Sequence, residues 1–200
     1  MGDRNDNHFV PQFYLRYWSA DEKRTNLFNF SRARAIEGVS IKDQCRRNNF
    51  YGFAPRLEEA LGGLEGAAAE VIRMIRAARD VPPRETEEWT TMLTYIVFQK
   101  LRTTNAAYLN DAMTEYLGSL WLEGGEHKEL KDSVKLQSIY PVALPMSMVD
   151  HVLSIAYDLR MHLLVNETAR EFITSDDPVV LHNQYCEGIT YRVTVRSRPS

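Results

Sequence analysis

Cysteine is nearly absent from this chain: two residues in 200, Cys45 and Cys186, lie far apart and lack the C-x-x-C spacing of a redox or zinc site. A disulfide scaffold is thereby excluded, and both read as free thiols in a reducing compartment. The start, Met1 to Asn7, is polar with no apolar leader behind it, and no uninterrupted apolar run approaches the ~18 residues of a membrane span. Asp6 stands where a myristoylation signal would place Ser or Thr. A cytoplasmic protein with no membrane partner is expected. Charge of one sign is also missing, since 27 acidic residues face 24 basic ones for a net of -3 and a pI near 6.0. That balance gives no strong nucleic-acid signature. The basic clusters Arg46-Arg47 and Arg73 to Arg79 read as solvated faces.

Chemical motifs are missing too. There is no G-x-S-x-G elbow and no H-E-x-x-H, and Gly62-Gly63 and Gly124-Gly125 lack the strand, Lys and Ser or Thr of a phosphate loop. Cys45 sits beside two arginines that would favour its thiolate, but no histidine partner can be assigned to it. His127, His151, His162 and His182 have no paired spacing; His127 reads as exposed and the others as lying on the surfaces of their elements.

What is present is enough apolar surface, 44% of residues, for one ordinary core, so residues 1–200 are expected to form a single domain. Phe9, Phe13, Tyr14, Tyr17 and Trp18 recur at helical spacing and predict a short helix over about 8–18, with Pro11 in its first turn. Residues 25–30 alternate as a strand, and 31–55 are mixed. Leu57, Leu61, Leu64, Ala68, Val71, Ile72 and Ile75 predict a long helix over 56–79, ended by Val81-Pro82-Pro83. A second is predicted from a Thr86 cap to about Glu123, and its length implies a kink or two helices in line. Ser147 and Asp150 form a capping box that starts a third helix, reaching to about Arg160, with Val149, Val152, Leu153 and Ala156 as its buried stripe. Residues 161–165, 171–174, 179–182 and 189–195 read as strands. The expected fold class is α+β, with central long helices packed on a small, mostly antiparallel sheet made by the C-terminal strands and one early strand.

Two strings at opposite ends set polar side chains among apolar neighbours and stiffen them with a proline: His8 to Leu15, and Phe172 to Val180. Together with Asn49-Phe50-Tyr51, with Leu57-Glu58 and Leu64-Glu65 one heptad apart, and with Gln99-x-x-Arg102-Thr103, they make a set of five motifs in order. In this the chain resembles the bacterial family known as domain of unknown function 4238. The resemblance covers nearly the whole chain and implies no activity. It implies a longer protein, because members continue well past the Thr-Ser-Asp-x-Pro strand whereas this chain stops at Ser200, so the sheet is expected to lack strands.

The polar residues of these strings are the candidate site. His8, Glu65 and Asp176 are the candidate catalytic groups, and the same three are the candidate metal ligands, for a divalent cation as cofactor. Gln12, Gln99 and Arg102 are candidate ligand-binding residues. Glu58 and Glu65, two turns apart, share a helix face, as do Gln99 and Arg102. The structural reading stands beside this one: Glu65 pairs with Arg102, His8 bonds a carbonyl, and Asp176 caps the turn ahead of Pro178. The first functional reading is a binding or regulatory module for an unknown small molecule or protein partner, linked to defence or stress. The alternative is a metal-dependent hydrolase of nuclease or phosphoesterase type using His8, Glu65 and Asp176.

Overall fold

The computed structural model describes residues 6–51, 55–125, 138–140 and 142–182. The strand expected over 189–195, Cys186 and His127 lie outside the described residues. The fold is α+β, but the described strands all stand in the first quarter of the chain. β1 (Asp6–His8) pairs antiparallel with β4 (Arg46–Asn48), and β2 (Arg24–Asn29) pairs antiparallel with β3 (Arg34–Ser40), as two separate two-stranded sheets. β2 was legible from its alternation. β3 and β4 were not, because Arg46, Arg47 and Asn48 are all exposed and carry no apolar signal. Their register comes from the partner strand, Asp6 facing Asn48 and His8 facing Arg46, with an ion pair between Asp6 and Arg46. In the β2–β3 hairpin the register shifts between Thr25 and Leu27. There Gly38, at φ +62°, donates its N–H to the Asn26 side chain at 2.9 Å, a bulge that a residue with a Cβ would strain.

The expected C-terminal sheet does not form among the described residues. Residues 161–165, 171–174 and 179–182 lie in no strand, and Leu164 and Ile173 are exposed. A β-branched composition favours a strand only where a neighbouring edge is available to pair with, and among the described residues no strand pairs with these segments.

The first helix is shorter than its aromatic spacing suggests. α1 covers Gln12–Arg16 behind an extended Pro11, which leaves His8 on β1 and not on the helix. Proline fixes the entry angle and gives up an N–H that the helix start would not use. α2 (Pro55–Ala78) matches the predicted span and stops where Arg79 turns left-handed at φ +54°. The predicted thirty-residue helix is two helices in line, α3 (Glu87–Leu101) and α4 (Thr104–Gly124). Thr86 caps the first by accepting from the Trp89 N–H, and Thr103 caps the second by accepting from the Ala106 N–H. The third predicted helix is α6 (Val149–Ala156), shorter than expected, and a short α5 (Ala143–Ser147) that the sequence did not announce precedes it. The expected capping box is absent: Ser147 donates back to the Leu144 carbonyl at 2.8 Å, so its hydroxyl is spent before α6 begins.

Two apolar clusters make the core. One gathers Phe9, Val10 and Leu15 with Ile41, Phe50, Leu61, Val142 and Met146; the other joins Trp89, Leu93 and Val97 of α3 to Ala156 of α6. α3 packs on both α2 and α6, so it is buried along two faces. No helix among the described residues is long and apolar enough to cross a membrane.

Candidate functional site

The second face of α3 carries polar groups into the interior. Gln99 and Arg102 are each 1% exposed, and leaving either without partners would cost several kcal/mol. Both are satisfied. Gln99 donates its amide to the Phe9 carbonyl at 2.8 Å and accepts two N–H donors from Arg102, at 3.1 and 2.8 Å. Arg102 then donates to Glu65 of α2 at 2.6 Å, an ion pair whose arginine end is fully buried. This network ties the N-terminal string to α2 and to the α3–α4 junction.

Glu58, two turns before Glu65, does a parallel job. Its carboxylate takes the Asn7 amide, and Asn7 in turn accepts the Phe50 N–H at 2.9 Å. Tyr51 donates to the His8 carbonyl at 3.1 Å. The shared face of Glu58 and Glu65 read from the sequence therefore holds the first string in place.

The candidate residues are not gathered as one group. The His8 ring meets the Lys42 carbonyl at 3.0 Å, as the structural reading had it. Glu65 belongs to Arg102. Asp176 is exposed; its charge, second to burial itself, helps push the Cys45 thiol up to about 12. Gln12 opens α1 and is half-buried. Among the described residues no three His, Cys, Asp or Glu side chains are grouped so as to hold a metal ion, so the triad of His8, Glu65 and Asp176 does not stand as a divalent-metal cluster. His8 and Glu65 are bonded to other partners, Lys42 and Arg102.

Sequence reasoning chose the wrong member of the Asp-Asp pair for the turn. Asp177, not Asp176, is the anchored carboxylate, accepting from Lys100 at 3.0 Å and from Asn105 at 2.8 Å. Its N–H goes to the Ser175 hydroxyl, which donates back to the Asp177 carbonyl. One oxygen of Asp177 is buried and bonded to nothing. The signal that could have found it is Lys100 and Asn105 on neighbouring helix turns, with cationic and amide donors available to a chain that ends in a proline turn.

The two strings do meet, through a hydrogen bond between the Tyr14 and Thr174 hydroxyls at 2.9 Å. Behind that bond lies a cavity of about 350 Å³. Ile72 of α2, Met92 and Ile96 of α3 and the Pro178-Val179-Val180 segment give it an apolar wall, while Tyr14, Tyr95 and Gln99 supply its polar groups. Tyr95 is the residue that sequence reading passed over. It is 4% exposed, its ring packs on Phe13, and its hydroxyl has no hydrogen-bond partner. Burial pushes this phenol's pKa up, more than the charge and the hydrogen-bonding reach of the nearby Arg102 pull it down; three of the five N–H groups of Arg102 go to Gln99 and Glu65. Tyr95 is accordingly a neutral donor across the physiological range. Tyr51, which also feels the Arg102 charge, is raised to about 12 for the same reason, burial first.

These features define a class: a helix-rich α+β protein in which a buried Gln–Arg–Glu network braces a small, mostly apolar cavity between two polar strings. The chain belongs to the family described as protein of unknown function DUF4238, whose model matches residues 6–198. No curated protein and no solved structure matches it.

Proposed function

We propose that the chain is a binding module whose cavity takes a small, mostly apolar molecule carrying one hydrogen-bond acceptor. The observation that carries this reading is a mostly apolar cavity with Tyr95 among its lining residues, a tyrosine whose enclosed hydroxyl makes no full hydrogen bond. A buried hydroxyl with nothing to bond costs roughly 1–3 kcal/mol, and a ligand acceptor would recover that. A volume of about 350 Å³ lies in the range of small-molecule sites, which are apolar with a few placed polar groups. Thr174 and Val179 come from the C-terminal string and Tyr14 from the N-terminal one, so occupancy would report on whether the strings are docked, which suits a regulatory role. The free Cys45 thiol fits a reducing, cytoplasmic setting.

A thermal-shift screen of small carboxylic acids, ketones and amides tests this. A ligand at a hundred times its Kd adds about 2.7 kcal/mol, which for a chain of this length raises Tm by roughly 5–10 °C. The gain should vanish in Ile96→Trp, which fills the cavity, and shrink in Tyr95→Phe, which keeps the cavity and removes the donor. Hits that shift Ile96→Trp as much as the parent chain would defeat the reading.

A further inference from the structure

α4 is apolar on two sides. One side is used: Ala107, Gly118 and Leu122 are buried. The other is not, for Tyr108, Leu109, Met113, Tyr116, Leu117, Leu120 and Trp121 are each between 45% and 70% exposed. At about 150–250 Å² for a large side chain, they leave on the order of 700 Å² of apolar surface in one band. Monomers rarely show a patch beyond roughly 300–600 Å², and a standard interface buries about 800 Å² per partner.

We infer that this band is a two-fold interface between two copies of the chain, with α4 packed antiparallel on α4 of the second copy. Three properties select a second copy as the occupant. The area is what a stable dimer needs from each side. The band is also self-complementary: reversed about a point between Thr114 and Glu115, Tyr108 falls opposite Trp121, Leu109 opposite Leu120, and Met113 opposite Tyr116. An isologous contact requires each residue to meet its mirror position, and six of the seven band residues meet another large apolar side chain, while Leu117 falls opposite Ala112. Charge completes the argument. From Thr104 to Gly124 there is no Lys or Arg, and the acids are Asp111, Glu115 and Glu123. At 100° per residue Asp111 and Glu115 fall outside the band; Glu123 falls within its angular range at the helix end, but its mirror position is Ala106, so no acid meets its own copy across the two-fold axis. Aromatic residues and methionine in an uncharged centre are also what interface cores favour.

Sedimentation velocity over a hundredfold range of concentration tests the inference on the whole chain. A reversible two-chain particle is expected, converted to a single chain by Leu117→Glu with an unchanged far-UV circular dichroism spectrum. Should Leu117→Glu fail to fold, a second measurement decides. Met113→Cys with Tyr116→Cys, in a background where Cys45→Ala and Cys186→Ser remove the native thiols, should oxidise to a covalent two-chain species. A single-chain particle at every concentration, or a two-chain particle that neither forms this crosslink nor responds to Leu117→Glu, would overturn it. The cavity reading does not enter either measurement.

Discussion

The two faces of α3 are held by different physics. On one, Trp89, Leu93 and Val97 press on α6, and Trp89 stacks edge-on against Tyr157 at 4.8 Å between ring centres. On the other, Gln99 and Arg102 enter an equally dry interior and are made tolerable only by Phe9, Glu65 and each other. The apolar face is non-directional, so any side chain of similar volume would do most of its work. The polar face is directional, and each bond names its partner. The first holds α6 against the bundle, while the second fixes where the N-terminal string sits, and with it one wall of the cavity.

Removing one member of the polar face should be the most disruptive change. Arg102→Ala leaves the half-buried Glu65 and the fully buried Gln99 without their donors and is expected to cost about 3–5 kcal/mol, read as a lower urea midpoint. Arg102→Met with Glu65→Leu, which removes both charges and keeps volume, should recover most of that loss. Failure to recover it would mean that the network stabilises and does not merely specify. Leu93→Ala on the apolar face should cost about 2–4 kcal/mol through the lost contacts and the cavity left behind, with no effect on ligand-induced shifts. An effect on those shifts would break the division between the faces.

The smallest expected effect is alkaline. Cys45 is raised from 9.0 to about 12, and Tyr51 from 10.0 to about 12, both chiefly by burial. Each is neutral when protonated, and the fold favours that form. Their contribution is complete below about pH 9, is lost as pH rises toward 12, and sets a fall in Tm over that window. In Cys45→Ala the early part of that fall, between pH 9 and 10, should flatten, as a melt series at half-unit steps would show.

Much of this was legible in the residues. The spans of α2 and β2, the break in the long helix and the Thr86 cap all follow from period and spacing, which are local, whereas the Glu65–Arg102 pairing was one of two readings and packing decided it. The family followed from five motifs in order. β3 and β4 were illegible because their pairing rests on backbone bonds to a partner strand and not on an apolar pattern of their own. Residues 161–165, 171–174 and 179–182 were misread for the converse reason, a pattern with no partner strand among the described residues. Asp176 was preferred to Asp177 because both precede the same proline, and only the positions of Lys100 and Asn105 distinguish them.

The opposition of α3's two faces marks the same boundary. Which residues could share a face was readable from residue order, since 3.6 residues per turn is a property of the backbone. Only the tertiary structure decided which buried hydroxyl was left without a partner, which carboxylate was held and that His8, Glu65 and Asp176 answer to different neighbours. Hydrogen bonds between residues ninety positions apart, such as Gln99 to Phe9, depend on how the elements are packed, and no local period encodes that.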